Sequence, residues 1–184
     1  MRVAVFGVGG VGGYFGGRLA QAGEEVIFIS RGEHLRAMQA DGLWVESLNG
    51  DFRVKPVQAT ADPAEVGAVD YVLLGVKTWQ VPEAAEAIRP LVGKQTAVIP
   101  LQNGVEAPDQ LAAVLGREHV LGGLCQIVSF IVAPGRIRHA GIDPQIAFGE
   151  IDGELSQRVE NLRAAFEHAK VRVDTPVDIR LAMW

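Results

Sequence analysis

A short apolar strand that runs directly into a glycine-rich loop is the feature that most constrains this fold. Residues 2–6 form an apolar, β-branched run typical of a buried strand. The loop after it consists of Gly7, Val8, Gly9, Gly10, Val11 and Gly12. A helix is predicted next, from Tyr14 to Ala22, so the pattern G-x-G-x-x-G lies between a strand and a helix. In that context Gly7 permits a tight turn, Gly9 lets the backbone approach a pyrophosphate, and Gly12 allows close helix–strand packing. The loop therefore predicts a dinucleotide site.

Strands and helices alternate through the next hundred residues. Further strands are predicted at 25–30, 70–76 and 96–101, and helices at 33–40, 81–92 and 108–115. Asn49-Gly50 lies between two strand-like runs and predicts a hairpin. This alternation predicts an α/β fold of the Rossmann type, with a doubly wound, mainly parallel sheet and helices on both faces.

The last third of the chain predicts additional strands and one clear helix. Strand-like segments lie around 120–128, 136–139, 145–149 and 171–173. Apolar residues from Leu155 to Ala169 recur at helical spacing. A helical segment opened by Pro176 has no stop signal before Trp184. We expect a cofactor domain over residues 1–175, with 176–184 starting a truncated, helical second domain.

Composition excludes several classes of protein. Hydrophobic residues make up 48% and charged residues 21% of the chain, which excludes a disordered polypeptide. The net charge of −5, without long runs of one sign, argues against a nucleic-acid partner. No apolar run reaches the ~20 residues of a membrane span, and no secretory signal precedes the first strand. A single cysteine cannot form an internal disulfide, which fits the cytoplasm. We expect a cytoplasmic protein without a membrane partner, with homodimerisation possible.

Three polar residues follow predicted strands at the edge where ligands of such sheets gather. Arg31, rather than an acidic residue, follows the second strand, and this favours NADP(H) over NAD because a guanidinium can hold a 2′-phosphate. Lys77 could neutralise cofactor phosphate. The amide of Asn103 could face the nicotinamide ribose or a substrate oxygen. A solvated arginine, a solvated lysine and an ordinary Asn-Gly turn are the structural alternatives.

Other conspicuous residues are interpreted as structural. Cys125 is expected to be buried and inert, and His139 to be a packed or surface histidine rather than a base. The three tryptophans, Trp44, Trp79 and Trp184, are expected to fill core or interface. No histidine or cysteine spacing suggests a metal site, and no G-x-S-x-G motif suggests a hydrolase.

Taken in order, these motifs resemble the ketopantoate reductase family. The resemblance is carried by the glycine loop, Ser30-Arg31-Gly32, Lys77-Thr-Trp-Gln80, Gln102-Asn-Gly104, Pro134-Gly-Arg-Ile-Arg-His139 and Asp178-Ile-Arg-Leu-Ala-Met-Trp184. It implies NADPH-dependent reduction of 2-dehydropantoate to pantoate, a step toward pantothenate and coenzyme A.

The resemblance also implies roles for individual residues. The glycine loop, Arg31 and Lys77 would hold the cofactor, Asn103 would lie near nicotinamide and substrate, and Ser129 would line the cofactor site. The family's catalytic lysine follows a tryptophan in a W-x-K sequence, which residues 1–184 do not contain. Two alternatives stay open: an NADP(H)-binding sensor domain without catalysis, and a reductase of another 2-keto acid.

Overall fold

Ten strands and six helices make up the chain, and the computed structural model describes all residues from 1 to 184. The strands are β1 (Arg2–Phe6), β2 (Glu25–Ile29), β3 (Leu43–Ser47), β4 (Phe52–Val54), β5 (Gln58–Thr60), β6 (Val69–Leu74), β7 (Val92–Pro100), β8 (Leu121–Ala133), β9 (Arg136–Glu150) and β10 (Arg172–Asp174). The helices are α1 (Gly10–Gln21), α2 (Gly32–Asp41), α3 (Val81–Ala87), α4 (Ala107–Leu115), α5 (Gln157–His168) and α6 (Ile179–Met183).

The first sheet, sheet 1, is entirely parallel, with the strand order β5-β2-β1-β6-β7. Alternate residues of its strands enter two different cores. Val3 and Val5 of β1 join the core that contains α1 and α5, whereas Ala4 joins the core formed with α3 and α4. Since both faces are covered, the central strands are continuous apolar runs. The predicted Rossmann-type, doubly wound sheet is confirmed.

A second sheet, sheet 2, was not predicted from the sequence. Its order is β10-β9-β3-β4, and β8 pairs with β9 in a long antiparallel hairpin. The β3–β4 pair is the hairpin that Asn49-Gly50 predicts, and it is antiparallel. In contrast, β3 pairs with β9 in parallel, which joins Trp44 to Arg136 across half the length of the chain. Sheet 2 therefore depends on contacts between segments far apart in sequence.

Three predicted helix boundaries were wrong. The helix predicted over 81–92 ends at Ala87, and a 3-10 turn at Arg89–Leu91 leads into β7. Pro90 explains this end, because proline lacks the N–H that a continuing helix needs. Leu155 lies outside α5, whose N-cap is Ser156, with its hydroxyl accepting from the N–H of Val159. The first helix starts four residues before Tyr14, inside the glycine loop itself.

The three tryptophans were expected to fill core or interface, and the expectation of a core position was wrong. Trp79 is 79% exposed and Trp184 is 91% exposed, while Trp44 lies between the guanidinium groups of Arg53 and Arg136.

Ile179 of α6 is buried against sheet 2. None of the six helices has the length and apolar character needed to cross a bilayer.

Candidate functional site

A groove of about 410 Å³ opens at the carboxyl edge of sheet 1. Three neighbouring strands end there, namely β2, β1 and β6. The residues that follow them line the groove: Arg31 after β2, Gly7 to Gly9 after β1, and Lys77 after β6. The sequence predicted that these residues lie close together, because neighbouring parallel strands have their carboxyl ends at the same edge of a sheet.

The glycine loop forms the floor of the groove in an open conformation. Gly7 has a φ of +93°, and a side chain there would meet the backbone of Gly75 and Val76 at 2.9 Å. Gly9 is the N-cap of α1 and has no atom within 4 Å of the place where a Cβ would stand. No side chain caps α1, and its first turn holds no acidic residue. The free N–H groups and the positive end of the helix dipole can therefore receive an anion.

The rest of the loop packs tightly against its neighbours. A Cβ at Gly12 would collide with the carbonyl oxygen of Gly7 and come within 3.1 Å of the Val5 side chain. A Cβ at Gly10 would collide with the carbonyl of Ser129 on β8. These contacts give Gly12 the packing role that the motif predicts, and they join the loop to sheet 2 through Gly10.

Two cationic side chains line the groove without a protein partner. Neither Arg31 nor Lys77 forms an ion pair or donates a side-chain hydrogen bond. Arg31 is the N-cap of α2, and Arg36 within the same helix differs from it because Arg36 pairs with Glu33. The backbone N–H of Lys77 donates to Oε1 of Gln80 at 3.1 Å, which fixes the start of the following turn. One carboxylate, Glu83, also lines the groove. The groove thus carries two cationic side chains and one carboxylate, none of them in an ion pair.

Asn103 does not line this groove. It follows β7, the edge strand beside β6, and its side chain is exposed. Its neighbour Gln102 is buried, and Nε2 of Gln102 donates to the carbonyl oxygens of Leu74 and Val76 at 2.8 Å each. Gln102 therefore ties the end of β7 to the end of β6. Sequence reasoning treated it only as part of a motif.

Ser129 and His34 complete the surroundings of the groove. Ser129 lies against Gly10, behind the loop rather than on the groove wall, and its buried Oγ has no hydrogen-bond partner. Ile131, two residues further along β8, lines the groove. His34 lines it from α2, and sequence reasoning missed this residue. Its position three residues after Arg31, within the first turn of a predicted helix, was the available signal.

Two residues interpreted as structural lie away from the groove. His139 is buried, and its ring nitrogens pair with Oγ of Ser47 and the carbonyl of Ile142 at 2.9 Å each. It is therefore a packed histidine, as expected. Cys125 is also buried, and its thiol donates to the carbonyl of Leu101 at 3.3 Å.

The Cys125 thiol is expected to be inert in the folded protein. Burial raises its pKa to about 12, so the reactive thiolate is scarce at pH 8, and the sulfur is shielded from reagents. We expect labelling by a thiol reagent at pH 8 to be at least about 100-fold slower in native protein than in denaturant, given the depleted thiolate. Equal rates in the two states would contradict this assignment.

Three features define a Rossmann-type α/β domain: the strand order, the glycine loop after the central strand, and an α1 N-terminus without a side-chain cap. Residues 3–153 match the family described as ketopantoate reductase PanE/ApbA, and the chain belongs to this family.

Similar proteins span the whole of this chain. A 2-dehydropantoate 2-reductase of Mesorhizobium japonicum is 35% identical, with 100% of this chain and 62% of the relative covered. An oxidoreductase of Bacillus subtilis, YkpB, is 34% identical over 100% of this chain and 60% of its own length. The crystal structure of 2-dehydropantoate 2-reductase from Porphyromonas gingivalis superposes with a TM-score of 0.94 at 34% identity, covering 100% of this chain and 66% of that one. The chain spans about three-fifths of the curated relatives named here.

Proposed function

We propose that the groove binds NADP(H) and that the chain serves as the cofactor-binding part of a reductase acting on 2-dehydropantoate. One observation carries the proposal: in a chain of this family, unpaired Arg31 and Lys77 flank a glycine loop at a capless helix N-terminus. The open space at Gly9 supports it, because a dinucleotide pyrophosphate needs close approach to the backbone. Reduction would yield pantoate, on the route to pantothenate and coenzyme A.

Each residue of the proposed site has a distinct task. The N–H groups of the glycine loop would receive the pyrophosphate, and Lys77 would neutralise phosphate charge. Arg31 would hold the 2′-phosphate through charge-assisted hydrogen bonds. The exposed Asn103 amide, which both donates and accepts, would orient the nicotinamide ribose or the keto acid. Ser129 would support the loop from behind. When bound, the nicotinamide supplies the hydride that reduces the keto carbon.

A second candidate function is the reduction of a different 2-keto acid. The fold is shared with D-mandelate dehydrogenase, whose structure holds NADH and anilino(oxo)acetate, at a TM-score of 0.88 and 22% identity. That likeness concerns the fold alone, and a shared fold does not fix the substrate. An NADP(H) sensor without catalysis is the third candidate.

Turnover of NADPH with a panel of 2-keto acids distinguishes these candidates. The assay follows NADPH absorbance in the protein that contains this chain, with the Mesorhizobium japonicum relative as positive control. The highest kcat/KM with 2-dehydropantoate is expected. A higher kcat/KM with another 2-keto acid would favour the second candidate. Binding of NADPH without oxidation by any substrate would favour the sensor.

Replacing Arg31 with Asp is expected to abolish the preference for NADPH over NADH. A charge-assisted hydrogen bond contributes about 1.5–3 kcal/mol, which corresponds to ~10- to 150-fold in affinity. Isothermal titration with both cofactors measures the ratio. Arg36→Asp is the matched control, because Arg36 is exposed on α2, pairs with Glu33 and does not line the groove. An unchanged cofactor ratio in Arg31→Asp would remove Arg31 from the site.

A further inference from the structure

We propose that His34 is a positioning residue, whose neutral imidazole holds the turn between β8 and β9 against α2 and so supports one wall of the groove. The inference rests on the proposed binding of NADP(H) in that groove. It assigns His34 no contact with the reacting atoms.

A single hydrogen bond joins α2 to the β8–β9 hairpin. The backbone N–H of Gly135, in the turn of the hairpin, donates to Nδ1 of His34 at 3.1 Å, and no other hydrogen bond connects these elements. Gly135 also lies close to α2, since a Cβ there would be 3.1 Å from the methyl group of Ala37. Gly135 is also held by β3, because the N–H of Trp44 donates to its carbonyl oxygen at 2.9 Å. His34 is thus the polar link from α2 itself to a tightly packed junction.

The hairpin held by this link forms part of the groove. Ile131 of β8 lines the groove, and His34 lines it from α2. Two residues before Ile131, the backbone of Ser129 lies against Gly10, where a Cβ would also stand 2.6 Å from the nitrogen of Phe130. A shift of the hairpin relative to α2 would therefore alter both the groove wall and the support of the glycine loop.

The link requires a neutral imidazole. Nδ1 accepts a hydrogen bond only through its lone pair, so the ring proton of neutral His34 lies on Nε2, which is buried and has no partner. A protonated ring carries hydrogens on both nitrogens and cannot accept from Gly135.

The charged groups around His34 do not favour its protonation. Arg31, Lys77 and Glu83 line the same groove, and Arg136 follows Gly135 on the hairpin. The carboxylate of Glu46 pairs with Arg136. His34 has no carboxylate partner that would stabilise its protonated form. Burial lowers the pKa of His34 below its usual 6.5. The imidazole is therefore mainly neutral at pH 7, and its protonation at lower pH would break the link.

Two mechanisms predict opposite pH effects on cofactor affinity. If His34 acted as a cation toward the cofactor phosphates, acidification would tighten binding. If it acts as the neutral acceptor described here, acidification weakens binding. The sign of the change therefore separates a ligand-contacting role from the positioning role.

The test is titration of the full chain with NADP⁺ at pH 7.5 and pH 5.5, in the wild type, His34→Asn, His34→Ala and His168→Asn. Asn carries an acceptor, Oδ1, at the position of Nδ1 but does not titrate. His168 is exposed on α5 and lines a different depression at the amino edge of sheet 1, so it controls for loss of a histidine. The 2′-phosphate itself titrates near pH 6, equally in all variants. The informative quantity is the pH effect in each variant divided by the effect in His34→Asn.

We expect His34→Ala to bind about fivefold more weakly at pH 7.5, and His34→Asn within about twofold of wild type, as for loss and retention of one hydrogen bond. Between pH 7.5 and 5.5, wild type and His168→Asn should lose more affinity than His34→Asn, by up to the roughly fivefold that separates His34→Ala from wild type. Hydrogen exchange of the Gly135 amide at pH 7.5 should be faster in His34→Ala than in His34→Asn.

A wild-type pH effect equal to that of His34→Asn, or tighter binding at pH 5.5, would overturn the positioning role. Absence of saturable NADP⁺ binding by wild type at pH 7.5 would overturn the proposed function and, with it, this inference. Normal binding at pH 7.5 without the pH difference would overturn the inference alone.

Discussion

A Gly9→Val variant is expected to fold normally and to lose at least about 100-fold in affinity for NADPH, or ~2.7 kcal/mol. Gly9 has φ −81° and ψ −161°, an extended conformation that valine adopts without strain. Nothing lies within 4 Å of the place of its Cβ, so the protein itself accommodates the side chain. The same space is where a pyrophosphate would approach the loop. Titration with NADPH, paired with thermal unfolding, measures both consequences.

Gly9→Ala is the graded control for this variant. Its single methyl group should weaken binding less than valine does, because the side chain extends less far into the groove. Both variants should stay within about 1 kcal/mol of wild-type stability, the usual cost of replacing glycine at an N-cap. Near-normal NADPH affinity in folded Gly9→Val would show that the loop is only a turn.

Gly12→Val, three residues away in the same motif, is expected to affect the fold instead. Its Cβ would collide with the carbonyl oxygen of Gly7, a backbone atom that cannot move aside without shifting β1 from α1. Overpacking of this kind costs about 3 kcal/mol or more. For a chain of this size we expect the Tm to fall by ~6–12 °C. Thermal unfolding by circular dichroism measures the change.

The two substitutions thus separate the two functions of the loop. A Tm within about 2 °C of wild type for Gly12→Val, which corresponds to less than ~1 kcal/mol, would show that the helix and strand can separate at low cost. It would contradict the packing role assigned to Gly12.

The part of the site that follows from local pattern could be predicted from the sequence. Gly7, Gly9, Arg31 and Lys77 each follow a short apolar strand, and neighbouring parallel strands bring such positions to one edge. The alternation of strands and helices, together with right-handed crossovers, was sufficient to predict sheet 1.

The rest depends on contacts that no local pattern encodes. The β3–β9 pairing joins Trp44 to Arg136, and the hydrogen bond between His34 and Gly135 spans 101 residues. Sheet 2 and the position of His34 in the groove were therefore missed. Asn103 was predicted at a strand end and lies there, after the edge strand β7 and outside the groove, and its role toward nicotinamide or substrate stays a prediction.

The central claim is that the groove is an NADP(H) site, and titration of the wild-type chain with NADPH and with NADH at the same ionic strength tests it most directly. Saturable binding of one NADPH per chain is predicted, with NADH weaker by at least about tenfold, as expected for the loss of one charge-assisted contact to the 2′-phosphate. Identical isotherms for the two cofactors, or no saturable binding of either, would contradict the claim.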